Sequence, residues 1–135
     1  NLQAAPGLAQ MEQLEDFIAH KEKMYEFSRE RLDGKHHYRI LPFCEGVRSN
    51  HWFYSLYVED GHSLSRDEII QVLKEQKIQT RPIWGLIQDQ ADYPKNEAYG
   101  EEKARHYLER IVNLPCSTSL TQEDAERVVQ VLLSL

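Results

Sequence analysis

Lys77-Ile-Gln-Thr-Arg-Pro-Ile-Trp-Gly-Leu-Ile-Gln88 is the stretch that decides how the rest of the chain is read. It begins as a strand. Ile78, Thr80 and Pro82 alternate with Gln79, Arg81 and Ile83, and a period of two puts these sets on opposite faces. Pro82 has no N–H for a ladder, so the strand lies at a sheet edge or ends there. Gly85 is expected to free the backbone just after Trp84, whose indole stands at a chain reversal. A cation, an indole and a flexible turn at a strand end are the parts of a binding rim. The plainer alternative places Trp84 and Ile83 in the core and pairs Arg81 with a surface carboxylate.

Outward from this stretch, alternation and capping define an α+β chain. Upstream, Ser65-Arg-Asp-Glu68 has the form of a capping box, and Ile69, Ile70, Val72 and Leu73 carry a helix to about Gln76. Before it, Trp52-Phe-Tyr-Ser-Leu-Tyr-Val58 is the clearest strand. Both of its faces are largely apolar, which predicts a central position. Tyr38 to Cys44 reads as a second strand and Ser49-Asn50 as a turn. From Leu8 to Leu32 an apolar stripe predicts one amphipathic helix of roughly 25 residues, stopped by Asp33-Gly34. Pro6-Gly7 marks its start or a kink within it. A helix this long is expected to pack on a partner subunit or on material beyond this segment.

Downstream, Asp89 to Gly100 reads as a loop holding Tyr93-Pro94. Glu101 to Val112 reads as a helix with Ala104, Leu108, Ile111 and Val112 inward. Asn113 to Cys116 is extended, and Thr121-Gln-Glu-Asp124 caps a last helix carrying Val128, Val129 and Leu132. The sum is a long N-terminal helix followed by a small, mainly antiparallel sheet packed with helices.

Composition excludes several function classes. The chain has 135 residues, 41% of them hydrophobic and 28% charged, which suits one globular domain. Its formal net charge of −6, without a basic stripe, argues against nucleic acid. No apolar run approaches the roughly 20 residues of a membrane span, and no signal peptide is visible. Cys44 and Cys116 are far apart and read as buried free thiols, pointing to the cytoplasm. The first residue is Asn1, and the chain reads as a piece of something longer. Six scattered histidines form no metal signature; His36 and His37, placed on a strand, would face opposite ways. Neither a nucleophile elbow nor a Gly-rich phosphate loop occurs.

Several blocks, in order, resemble one family. Asn1-Leu-Gln-Ala-Ala-Pro-Gly-Leu-Ala-Gln-Met-Glu-Gln-Leu-Glu15, Ser49-Asn-His-Trp-Phe-Tyr-Ser-Leu56, Ile78-Gln-Thr-Arg-Pro-Ile-Trp-Gly-Leu-Ile87, Glu109-Arg-Ile-Val-Asn-Leu-Pro-Cys-Ser117 and Leu120-Thr-Gln-Glu-Asp-Ala-Glu-Arg-Val-Val129 are similar to the C-terminal part of the DegT/StrS nucleotide-sugar aminotransferases. The Arg81-Pro-Ile-Trp-Gly-Leu-Ile87 form resembles the branch acting on 4-keto nucleotide sugars. The resemblance implies a fold-type I small domain, spanning residues 1–135, of a pyridoxal-phosphate enzyme that takes its amino group from glutamate. It implies a homodimer in the cytoplasm, serving cell-surface polysaccharide or glycan precursors.

The resemblance also implies that the Schiff-base lysine and the ring-stacking groups lie in a large domain absent from this chain. The segment alone is then expected to be inactive and to hold no cofactor. The residues it sets toward the sugar are Arg81, Trp84 and Gln88. Gln88 stands where relatives usually carry histidine, and Pro6 where they carry leucine. An alternative of another class is a non-catalytic ligand-binding or oligomerisation module sharing this ancestry.

Overall fold

The computed structural model describes residues 2–93 and 97–135. Its elements are α1 (Ala4–Glu12), α2 (Leu14–Leu32), β1 (Tyr38–Ile40), β2 (Tyr54–Val58), α3 (Arg66–Glu75), β3 (Arg81–Pro82), a 3-10 turn (Ile87–Asp89), α4 (Glu102–Leu108), β4 (Ile111–Leu114) and α5 (Gln122–Leu133). The four strands form one sheet in the order β1-β2-β4-β3, with every neighbouring pair antiparallel. The α+β class and the central place of β2 therefore stand.

One face of the sheet makes the core. Tyr54, Leu56 and Val58 alternate along β2 with half-buried Ser55 and Tyr57, so the pleat sends one set inward. These residues, with Tyr38, Ile40, Val112 and Leu114, meet Met24 and Leu32 of α2, Ile69 and Leu73 of α3, and Val129 and Leu132 of α5. Two phenols tie α2 across this seam: the Tyr54 hydroxyl donates to Lys21 O at 2.7 Å and the Tyr25 hydroxyl to Leu41 O at 3.0 Å. Both capping boxes form, Ser65 with Glu68 and Thr121 with Asp124, and they set the starts of α3 and α5. Leu120, just before the second box, packs against the core.

The single long helix is two helices. The chain breaks at Gln13, where φ −103° and ψ 0° leave the helical range and Gln13 N–H closes a tighter turn onto Gln10 O at 3.2 Å. Pro6 falls in the first turn of α1, where its missing N–H costs nothing. No residue of α1 is buried, and Leu8, Met11 and Leu14 leave their side of the stripe in solvent.

Other boundaries move for reasons of pairing. Ile111 and Val112 belong to β4, not to the helix before them: Val58 N–H takes Arg110 O at 2.9 Å, and the β-branched pair enters the ladder beside β2. Ala104 is exposed and Leu108 only half-buried. The first strand stops at Ile40, with one further bond from Leu41 N–H to Ser55 O at 2.9 Å. Trp52 lies outside β2 and is exposed. His36 and His37 are not on a strand; they turn the chain at φ +49° and +60°. Their turn meets Gly61 (φ +98°), where a Cβ would stand 3.1 Å from the His37 ring. Cys44 is exposed and Cys116 half-buried, so the expected pair of buried thiols is not found. The loop after Asp89 is confirmed where it is described, while Pro94 lies outside the described residues.

Candidate functional site

β3 is the edge strand that Pro82 requires, reduced to Arg81 and Pro82 against Asn113 and Val112. Asn113 stitches the sheet together here. It is buried, accepts the Ser55 hydroxyl at 2.9 Å, and reaches Pro82 O with its amide at 3.5 Å. A buried carboxamide with partners on both neighbouring strands holds the end of β3 in place.

Beyond β3 the chain runs across the sheet face that α2, α3 and α5 leave open. Trp84 is 76% exposed, so it is not a core residue, and Ile83 is half-buried. Trp84 forms a wall of an apolar trough of 340 Å3 with Ile83, Leu86, Leu41, Tyr107 and Ile111. An exposed indole beside apolar floor is a surface on which a ring can stack. Gly85 is not needed for the reversal: its φ lies outside the left-handed region, and a Cβ there would meet only the Gln90 amide at 3.6 Å.

Gln88 is held behind this wall. Its amide donates to Glu101, which also accepts from Arg105 at 3.0 Å. Arg105 in turn grips Asp89. These bonds, the Gln88 amide first and the Arg105 guanidinium second, hold the Glu101 carboxyl below the usual glutamate range. The network pins the segment after Trp84 onto α4. Sequence reading missed it, although Glu101 and Arg105 stand at the i,i+4 spacing that marks a helical ion pair.

Arg81 lies apart from this wall. It lines a different cleft with Lys77 and Arg127, and no carboxylate among the described residues pairs with it. The three residues chosen from sequence are therefore not one cluster: Trp84 and Gln88 share a loop, and Arg81 opens elsewhere. A second pair also went unread, Tyr57 and His106, whose hydroxyl and Nε2 stand 2.7 Å apart on the open face. Among the described residues no group of histidine, cysteine, aspartate or glutamate is arranged to hold a metal.

Comparison with known proteins resolves the lineage. The family model described as the DegT/DnrJ/EryC1/StrS aminotransferase family matches residues 1–133. The chain belongs to the DegT/DnrJ/EryC1/StrS aminotransferase family. Within this family it is 28% identical over 137 residues to the GDP-perosamine synthase of Caulobacter vibrioides, an alignment covering 98% of this chain and 36% of that protein. It is 25% identical over 136 residues to the dTDP-4-amino-4,6-dideoxy-D-glucose transaminase of Escherichia coli, covering 98% of this chain and 37% of that one. Its fold matches the crystal structure of DesI, solved in the presence of its TDP-sugar product, with a TM-score of 0.88 at 18% identity, over 95% of this chain and 33% of that one. The chain thus spans about a third of the length of these relatives.

The family depends on pyridoxal phosphate. A holder for that group needs an enclosed lysine amine and a carboxylate facing the ring nitrogen. None of the described lysines, aspartates or glutamates of this DegT/DnrJ/EryC1/StrS chain is buried, and Lys95 lies outside the described residues. The described residues do not make such a holder by themselves.

Proposed function

We propose that this chain works as the C-terminal small domain of a pyridoxal-phosphate aminotransferase that moves an amino group from glutamate to a 4-keto nucleotide sugar. Membership of the family supports the reaction class, and the two relatives whose names specify GDP- and dTDP-linked amino sugars support the substrate class. Pyridoxal phosphate supplies the electron sink for amino transfer. The lysine that would carry it belongs, in this reading, to the large domain of the full-length enzyme.

The observation that carries the site is the exposed Trp84 indole over its apolar trough. In the reading offered here Trp84 is the stacking wall for the sugar. Gln88 orients that wall through Glu101, and its side-chain oxygen, which accepts no hydrogen bond among the described residues, is left for a sugar hydroxyl. Arg81 supplies positive charge at the strand end. In the full-length enzyme, Trp84→Ala should raise KM for the nucleotide sugar about three- to tenfold, the worth of one aromatic contact, with kcat little changed. Unchanged kinetics would remove Trp84 from the site.

The same reading gives the enzyme a partner subunit. Leu8, Met11 and Leu14 stand exposed on one side of the N-terminal helices, and such a stripe is covered when a second copy or the large domain packs on it. The isolated 135-residue chain should self-associate through it. A monodisperse monomer at high concentration in sedimentation would argue against this.

A further inference from the structure

At the opposite end of the β3–β4 pair from Trp84 the sheet splays open. The ladder holds at Arg81↔Asn113 and Pro82↔Val112 and goes no further. Continued in register, Gln79 would meet Pro115, which has no N–H to give. That leaves Gln79 O without a ladder donor, and the backbone N–H groups of Gln79 and Thr80 make no hydrogen bond among the described residues either. Between this unpaired segment and the connection from β4 into α5 lies a cavity of 410 Å3, a volume that suits a small molecule.

Charge at this cavity is unbalanced. Among the described residues seven of the nine arginines form salt bridges, and the two that form none there, Arg81 and Arg127, both line the cleft. Lys77 joins them, held in the left-handed turn that links α3 to β3 at φ +59°. Arg127 is oriented by a bond from one nitrogen to Gln76 O, which leaves most of its five donors open. The carboxylate on the wall, Asp124, is engaged by Thr121 N–H and hydroxyl in the capping box. The floor is apolar and buried, made by Ile78, Leu114 and Val128. In a chain of net charge −6, three cations against the one carboxylate of Asp124 over an apolar floor focus a positive field into one recess.

We propose that this cleft binds a small organic anion, its phosphate or carboxylate head taken by Arg127, Arg81 and Lys77 and its apolar body lying on Ile78, Leu114 and Val128. A guanidinium fork matches both heads, so the shared chemistry is the anionic group on an apolar body. The cleft is separate from the Trp84 trough, and although Arg81 figures in both readings, the anion site rests on Arg127, Lys77 and the apolar floor and does not need the nucleotide-sugar reading.

The test is a titration of the 135-residue chain with phenyl phosphate, phenylacetate and inorganic phosphate, followed by backbone amide NMR. Saturable shifts at Gln79, Thr80 and Ser117 are expected with one or both aromatic anions, and the tighter one identifies the head. Inorganic phosphate, without the body, should bind at least tenfold more weakly. Arg127→Gln should weaken the preferred aromatic anion about tenfold, as for loss of one charged hydrogen bond. Lys77→Asn, which suits the left-handed turn, should weaken it in the same direction if Arg127→Gln disturbs the fold. Arg48→Gln, an equal change of charge far from the cleft, should leave binding unchanged. Absence of saturable shifts with both aromatic anions, or equal weakening by Arg48→Gln, would overturn the proposal. Normal sugar kinetics alongside that outcome would leave the transferase reading intact.

Discussion

Arg105 donates to Asp89 from both terminal nitrogens, Nη1 to Oδ2 at 3.1 Å and Nη2 to Oδ1 at 3.0 Å. The same guanidinium reaches Glu101, so one side chain on α4 holds both ends of the segment that follows Trp84. A two-pronged arginine contact fixes direction as well as distance.

Arg105→Gln should therefore loosen this segment without unfolding the domain. Amide exchange from Ile87 to Tyr93 is expected to speed up several-fold, with the thermal midpoint nearly unchanged, because the ion pair stands in solvent. Exchange rates equal to wild type would show that the 3-10 turn holds itself.

Core and rim are separable by stability. Leu56 is fully buried on the central strand, and Leu56→Ala should cost about 2–5 kcal/mol in urea unfolding. Trp84→Ala, at a side chain that is mostly exposed, should change stability by less than about 0.5 kcal/mol. A large loss at Trp84 would mean that the indole packs in solution.

His51 gives the fold a pH dependence. Its imidazole is buried against Tyr25 and Phe43 with Nδ1 lacking a hydrogen-bond partner among the described residues, and burial holds its pKa below the ordinary 6.5, against the opposing pull of Glu22 and Glu26. The unfolded chain then takes up a proton that the folded chain resists. Stability attributable to His51 is full above that value and falls as the pH drops below it. Urea midpoints between about pH 8 and pH 5 should decline, and His51→Asn, compatible with φ +49° there, should flatten the decline. An unchanged slope in that variant would sink this account.

The two thiols should differ in reactivity. Cys44 is exposed, whereas burial pushes the Cys116 thiol up and its S–H donates to Trp52 O at 2.7 Å. A thiol reagent should label Cys44 at least about tenfold faster. Equal rates would mean that the end of β4 opens readily.

What the amino-acid order determined by itself is the set of features carried by neighbours in sequence: the capping boxes that start α3 and α5, the alternation of β2, and the proline that confines β3 to an edge. The family resemblance is of the same kind, since it rests on short blocks in order. Tertiary structure alone decided the rest. Ile111 and Val112 fit a helix by spacing and become strand because β2 offers them a ladder. The stripe from Leu8 to Leu32 breaks at Gln13, and only its C-terminal part finds the sheet. Arg81 and Trp84, three positions apart, part company because β3 ends between them and turns one toward the splayed end of the sheet and the other over its open face. Local pattern fixes which way a side chain can point along its own element. What it then meets depends on strand partners far away in the chain, and no short-range period records them.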